Sequence, residues 1–144
     1  MSKEEYKEMY DIVGAAMEVH NTLGYGMAEP IYQEALSMEL ELNGIKAERE
    51  KPLAVYYKGT EMKKHYVVDF FCQGIIVEVK SVEKLCPEHR AQLFNYLRIS
   101  HMHRGLRINF AERGLRAERY LYLPGRDDFV LLTKANYKLY IDDL

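Results

Sequence analysis

Cysteine is scarce in this chain: 144 residues contain only Cys72 and Cys86, at no spacing that ligates a metal. Two isolated thiols exclude a disulfide-framed scaffold and fit a reducing compartment, so a cytoplasmic location is expected. No apolar run approaches the roughly 20 residues needed to cross a bilayer, so no membrane partner is expected. The opening MSKEEYKEMYD is acidic and amphipathic, without the basic-then-apolar order of a secretory signal. Repeats, low-complexity tracts and linkers are missing as well, and the length suits one domain over residues 1–144. Charge of one sign is lacking too, the formal net being −2, so the chain as a whole carries no polyanion-binding signature. What is present is 48% hydrophobic and 29% charged residues, the profile of a soluble globular domain able to bury a core.

The charge is unevenly placed. Residues 1–50 hold 11 acids and 4 bases, whereas residues 51–119 hold 7 acids and 13 bases. A basic face turned toward a polyanion is compatible with that asymmetry, though solvated surface charge is the simpler account of it. The same choice applies to Arg98, Arg104, Arg107, Arg113, Arg116 and Arg119, which either line a phosphate groove or coat the surface.

Hydrophobic spacing orders the elements. Apolar positions at Tyr6, Met9, Tyr10, Val13, Ala16, Met17 and Leu23 predict a helix over 4–23 with His20 on its inner face. Gly24-Tyr25-Gly26 breaks it. Pro30 suits the first turn of a second helix, with Glu29 near its cap, Ile31, Tyr32, Ala35, Leu36 and Leu42 inward, and Gly44 as the stop. Leu53–Tyr57, residues 64–72 and residues 75–82 read as strands. Pro87 opens a helix to about Ser100 with Leu93, Phe94 and Leu97 inward, and Leu106–Phe110 is a further strand. Residues 111–119 read as a loop or short helix, and a last hairpin turns at Pro124–Asp127. The order predicts an α/β (α+β) domain with a mixed sheet.

The stretch YVVDFFCQGIIVEVK carries two acids where apolar residues are expected. If Gln73-Gly74 is a two-residue turn, Cys72 faces Ile75, Phe71 faces Ile76, Phe70 faces Val77 and Asp69 faces Glu78. Opposed carboxylates among Val, Ile and Phe are unfavourable unless a cation lies between them. A hard divalent ion, Mg2+ or Mn2+, takes such oxygen ligands. Lys80 points to the same side as Glu78, two residues on. An ion, an ammonium and two acids together suit phosphodiester hydrolysis. The plainer reading is a strand-end ion pair, and a one-residue slip would put the acids on opposite faces.

Two further stretches, HNTLGYGMAEPIY over 20–32 and HRAQLFNYL over 89–97, join VVDF and VEVK in a combination that closely resembles the bacterial GxxExxY family. Its name is spelled here by Gly26, Glu29 and Tyr32. The family is grouped with the PD-(D/E)XK nuclease superfamily, and the resemblance runs over about residues 4–110. It implies a restriction-endonuclease-like core, a mixed β-sheet flanked by helices. It implies metal-binding roles for Asp69 and Glu78, a catalytic Lys80, a helix-borne acid in Glu29, and His20 as a further metal ligand. Gln92 and Tyr96 resemble a Gln-x-x-x-Tyr helix motif, one face of a helix beside the site, with Tyr32 as core or site support. Val68 stands where the superfamily has proline before the first acid. The tail, about 111–144, matches no motif and is either a sheet extension or a homodimer surface.

The function expected is a divalent-metal-dependent nuclease acting on DNA or RNA. The alternative is a nucleic-acid-binding or protein-interaction module that keeps the fold without chemistry.

Overall fold

A computed structural model describes residues 1–84 and 86–143. The order is α1 (Lys3–Leu23), α2 (Glu29–Leu42), β1 (Glu48–Tyr57), β2 (Thr60–Cys72), β3 (Ile75–Lys80), α3 (Pro87–Ser100), β4 (Arg104–Asn109), β5 (Arg116–Leu123) and β6 (Asp128–Leu132). The six strands form one sheet in chain order. Only β3 and β4, joined through α3, run parallel; every other neighbouring pair is antiparallel. A crossover helix is what a parallel pair demands, and tight turns suffice for the rest. This is the mixed α+β architecture expected of a restriction-endonuclease-like core.

The sheet is covered on both faces. Phe70, Cys72, Ile75, Val77, Val79, Leu106 and Ile108 pack against the buried stripe of α1 and α2, including Met9, Ile12, Ala16, Tyr32 and Leu36. On the other side Ile76, Tyr120 and Tyr122 meet Leu93, Tyr96 and Leu97 of α3. The period-two alternation of β3 therefore sends Val77 and Val79 one way and Ile76, Glu78 and Lys80 the other. At Gly105 α3 comes so near β4 that an added Cβ would lie 3.1 Å from the Leu93 and Leu97 methyls.

Helix boundaries follow local chemistry. Ser2 caps α1 by accepting the Glu5 amide at 3.0 Å. Pro30 and Pro87 occupy the first turns of α2 and α3, where no intrahelical amide is lost. The buried stripes are rotated from those expected. On α1, Ile12 and Val19 are buried while Tyr10 and Met17 face solvent; on α2, Leu40 is buried while Ile31 and Leu42 are exposed. The apolar set on each helix is wider than one stripe, and the position of the sheet decides which part is covered. Residues 111–115 form the expected loop, but Arg116–Arg119 belong to β5. Charged residues there disguise a strand whose ladder to β4 is complete. The tail is the sheet extension: β5 and β6 finish the sheet, and Tyr137 stacks on Tyr6 of α1 at 4.5 Å.

Candidate active site

The site lies where β2 and β3 part. Their backbone ladder joins Cys72 to Ile75, Phe71 to Ile76 and Phe70 to Val77, the register read from the turn, and ends there. Beyond it β3 continues with β4 and β2 with β1. The two carboxylates take over the amides freed by the fork. Glu78 Oε1 accepts the Asp69 N–H at 3.1 Å, and Asp69 Oδ2 accepts the Val79 N–H at 2.7 Å. Each acid is thereby held by the other's strand, with its second oxygen left over. Charge-assisted bonds to backbone amides give this arrangement its rigidity.

Electrostatics show how crowded the pair is. Burial, joined by the Asp69 charge, pushes the Glu78 carboxyl up to about 8. Burial also raises Asp69, against the Val79 amide and Lys80, which favour its ionised form. At neutral pH the pair therefore demands a proton or a cation between its members. The fork supplies hard oxygen donors, and an ion such as Mg2+ takes one or two carboxylates and fills its shell with water and substrate oxygens. The pair fits such an ion. Among the described residues no three His, Cys, Asp or Glu side chains converge into an all-protein cage.

Lys80 closes one side. Its Nζ donates to Gln92 Oε1 at 3.2 Å, and Gln92 in turn contacts the Tyr96 hydroxyl. Burial and the Glu78 charge raise that phenol to about 12, so it stays protonated. Tyr66 lies edge-on to Tyr96 at 5.3 Å, and the two line a shallow cavity of about 300 Å³ with Gln92 and Asn95. Gln92 and Tyr96 thus stand on the α3 face turned to the acids, as their four-residue spacing requires.

Glu29, first residue of α2, feels both Lys80 and Asp69; burial raises its carboxyl and Lys80 opposes the rise. Two contacts hold the preceding loop. Ser81 Oγ donates to the Met27 carbonyl at 2.7 Å, and the Tyr32 hydroxyl donates to the Gly24 carbonyl at 2.8 Å while accepting the Met27 N–H at 3.1 Å. Tyr32 is buried and stacked on Phe110 at 4.5 Å, so it supports the loop from the core. His20 meets the loop between β4 and β5. Its Nε2 is 2.8 Å from the Glu112 carbonyl oxygen, which only accepts, so that nitrogen carries the proton.

Sequence reading passed over one neighbour, Glu50, and misplaced another, Arg107, which neither coats the surface nor lines an open groove. Glu50 stands between the β1 residues paired with Phe70 and Val68, across from Asp69, whose charge it disfavours. Its backbone is left-handed, φ +53, which no sequence signal for glutamate announces. Arg107 pairs in register with Glu78 on one side and Glu118 on the other. It is fully buried, with Nε 3.8 Å from Glu118 Oε1 and no hydrogen-bond partner among the described residues. A row Asp69–Glu78–Arg107–Glu118 therefore crosses four strands on the α3 face.

Residues 6–120 match the PD-(D/E)XK nuclease superfamily. That is most of the chain, and the chain belongs to this superfamily. Nucleases of the superfamily typically use divalent metal ions. No curated protein matches the sequence significantly. A solved structure titled "Crystal structure of SSO0001" is similar in fold, with a TM-score of 0.51 and 21% identity over 62% of this chain. The similarity spans 48% of that protein, about half its length.

Proposed function

We propose that this superfamily member is a divalent-metal-dependent nuclease hydrolysing phosphodiester bonds in DNA or RNA. The observation that carries the reading is the interlocked pair of Asp69 and Glu78. A buried acid, Glu78, and a half-buried one, Asp69, are clamped side by side by amides of each other's strands, with Lys80 on the same edge. Structure alone gains little from such a pair, because burying like charges without a cation is unfavourable. Asp69 and Glu78 would hold Mg2+ or Mn2+, with Glu29 reaching the same region. The bound ion supplies polarisation of a phosphoryl oxygen and a more acidic water.

The chain's own residues do the rest. The backbone amides of Asp69 and Val79 fix the carboxylates before substrate arrives, so little reorganisation is needed. Lys80, oriented by Gln92, sets an ammonium against the charge that develops on the phosphoryl oxygens. Tyr96 holds Gln92, and Tyr32 holds the loop that delivers Glu29.

Cleavage of end-labelled single- and double-stranded DNA and RNA, with Mg2+ and then Mn2+, tests the reading. Lys80→Ala is expected to lower the rate by about 10² to 10³, the usual effect of losing one charge-stabilising donor. Equal cleavage by wild type and variant would assign the activity to a contaminant. Salt-sensitive binding without cleavage, insensitive to Lys80→Ala, would leave the non-catalytic binding module in its place.

A further inference from the structure

His20 lines a cavity of about 420 Å³ between the end of α1 and the start of β5. Asn21, Arg113 and Arg119 share its wall, and no carboxylate does. That composition is unusual for this protein. Arg90, Arg98, Arg104, Arg107, Arg116 and Arg126 each have a carboxylate within 4 Å. Among the described residues only Arg49, Arg113 and Arg119 have none, and of these Arg113 and Arg119 meet in this cavity. Arg119 Nε is moreover buried without any hydrogen-bond partner. Two guanidinium groups without a carboxylate, on the wall of a cavity that holds no acid, make a site for an anion.

Placement and neighbours narrow the anion. Val79, Ile108 and Ala117 align across β3, β4 and β5, so the cavity and the acid pair lie at the same end of the sheet, the cavity on the α1 face and the acids on the α3 face. The His20 bond to Glu112 anchors the loop that carries Arg113. Arg113 in turn sits 6.0 Å over the ring of Tyr25, which is 53% exposed in the loop leading to Glu29. Guanidinium forks match phosphate geometry, and an exposed aromatic ring beside them offers a base a stacking surface.

We propose that this cavity is a phosphate subsite. The Arg119 and Arg113 guanidinium groups hold one phosphate group, His20 and Asn21 shape the wall, and Tyr25 stacks an adjacent base. The source of the phosphate is a nucleic-acid strand that passes from the acid pair round this end of the sheet, along the loop from Tyr25 to Glu29; this last clause rests on the nuclease reading, whereas the anion site does not.

The test follows the arginine Nε–H resonances by NMR, in the Lys80→Ala background, during titration with inorganic pyrophosphate and separately with a single-stranded oligonucleotide. Both ligands are expected to move the Arg119 resonance. Arg113→Gln, in an exposed loop, is expected to keep the circular dichroism spectrum, weaken both ligands about tenfold, and lower the salt slope for the oligonucleotide by nearly one phosphate contact. A response to pyrophosphate alone supports the subsite, makes its ligand a free phosphate, and counts against the nuclease reading. Silence of the Arg119 resonance, or unchanged affinities and salt slope in Arg113→Gln, overturns the subsite, even if the strand is bound and cut elsewhere.

Discussion

Asp69 and Glu78 set two like charges side by side in the sheet, and the titration of Glu78 makes the cost measurable. Glu78 is raised from 4.5 to about 8, first by burial and then by Asp69. Above about pH 4.5 the unfolded chain releases a proton that the folded chain keeps. The contribution of this group to stability is therefore complete below that pH and is lost as pH climbs toward 8. Urea midpoints in metal-free buffer are expected to fall across this window, and Glu78→Gln, which carries no charge to neutralise, is expected to flatten the fall. A slope unchanged in the variant would show that other groups carry it. On the proposed reading, Mg2+ flattens the slope in the wild type as well, because an ion replaces the proton.

At the scale of elements, the β2–β3 hairpin sets the site. Its turn puts both central residues in the left-handed region, Gln73 at φ +53 and Gly74 at φ +79. That is the mirror-image turn whose twist suits a two-residue hairpin. Arg104 Nη2 donates to the Gln73 carbonyl at 2.6 Å, and a Cβ on Gly74 would lie 3.3 Å from that same nitrogen. Gly74→Ala is expected to destabilise by roughly 1–2 kcal/mol, from the positive φ and the crowded guanidinium together. Thermal unfolding reads the loss. Because the turn sets the register, the variant is also the sharpest way to disturb the acids without touching them.

For the whole molecule, the sheet extension closes on the beginning of the chain. Tyr137 stacks on Tyr6, and the terminal amine of Met1 donates to the Tyr140 carbonyl at 3.0 Å. These contacts lie away from the acids, so they belong to stability rather than chemistry. Tyr137→Ala is expected to lower unfolding stability by about 1–3 kcal/mol, the sum of a lost ring stack and lost burial. Cleavage at a temperature where both proteins are folded should be unaffected. A large change in rate would mean that the tail reaches the site through β5.

The periods of the apolar residues determined where helices and strands lie, because period and backbone geometry are the same fact seen twice. The Gln-Gly turn determined the register, and with it the meeting of Asp69 and Glu78. The spacing of Gln92 and Tyr96 determined that they share a face. Tertiary structure alone decided the rest. Which stripe of α1 is buried depends on the angle at which the sheet arrives, so Tyr10 and Met17 are open and Ile12 and Val19 are not. Glu50 becomes a neighbour of Asp69 only because β1 pairs along β2 with a left-handed residue at that point. The sequence places His20 on the inner face of α1, but only the loop folded over it decides that its Nε2 meets the Glu112 carbonyl. A local pattern fixes which way a side chain leaves its own element; what it meets there is decided by elements far away in the chain.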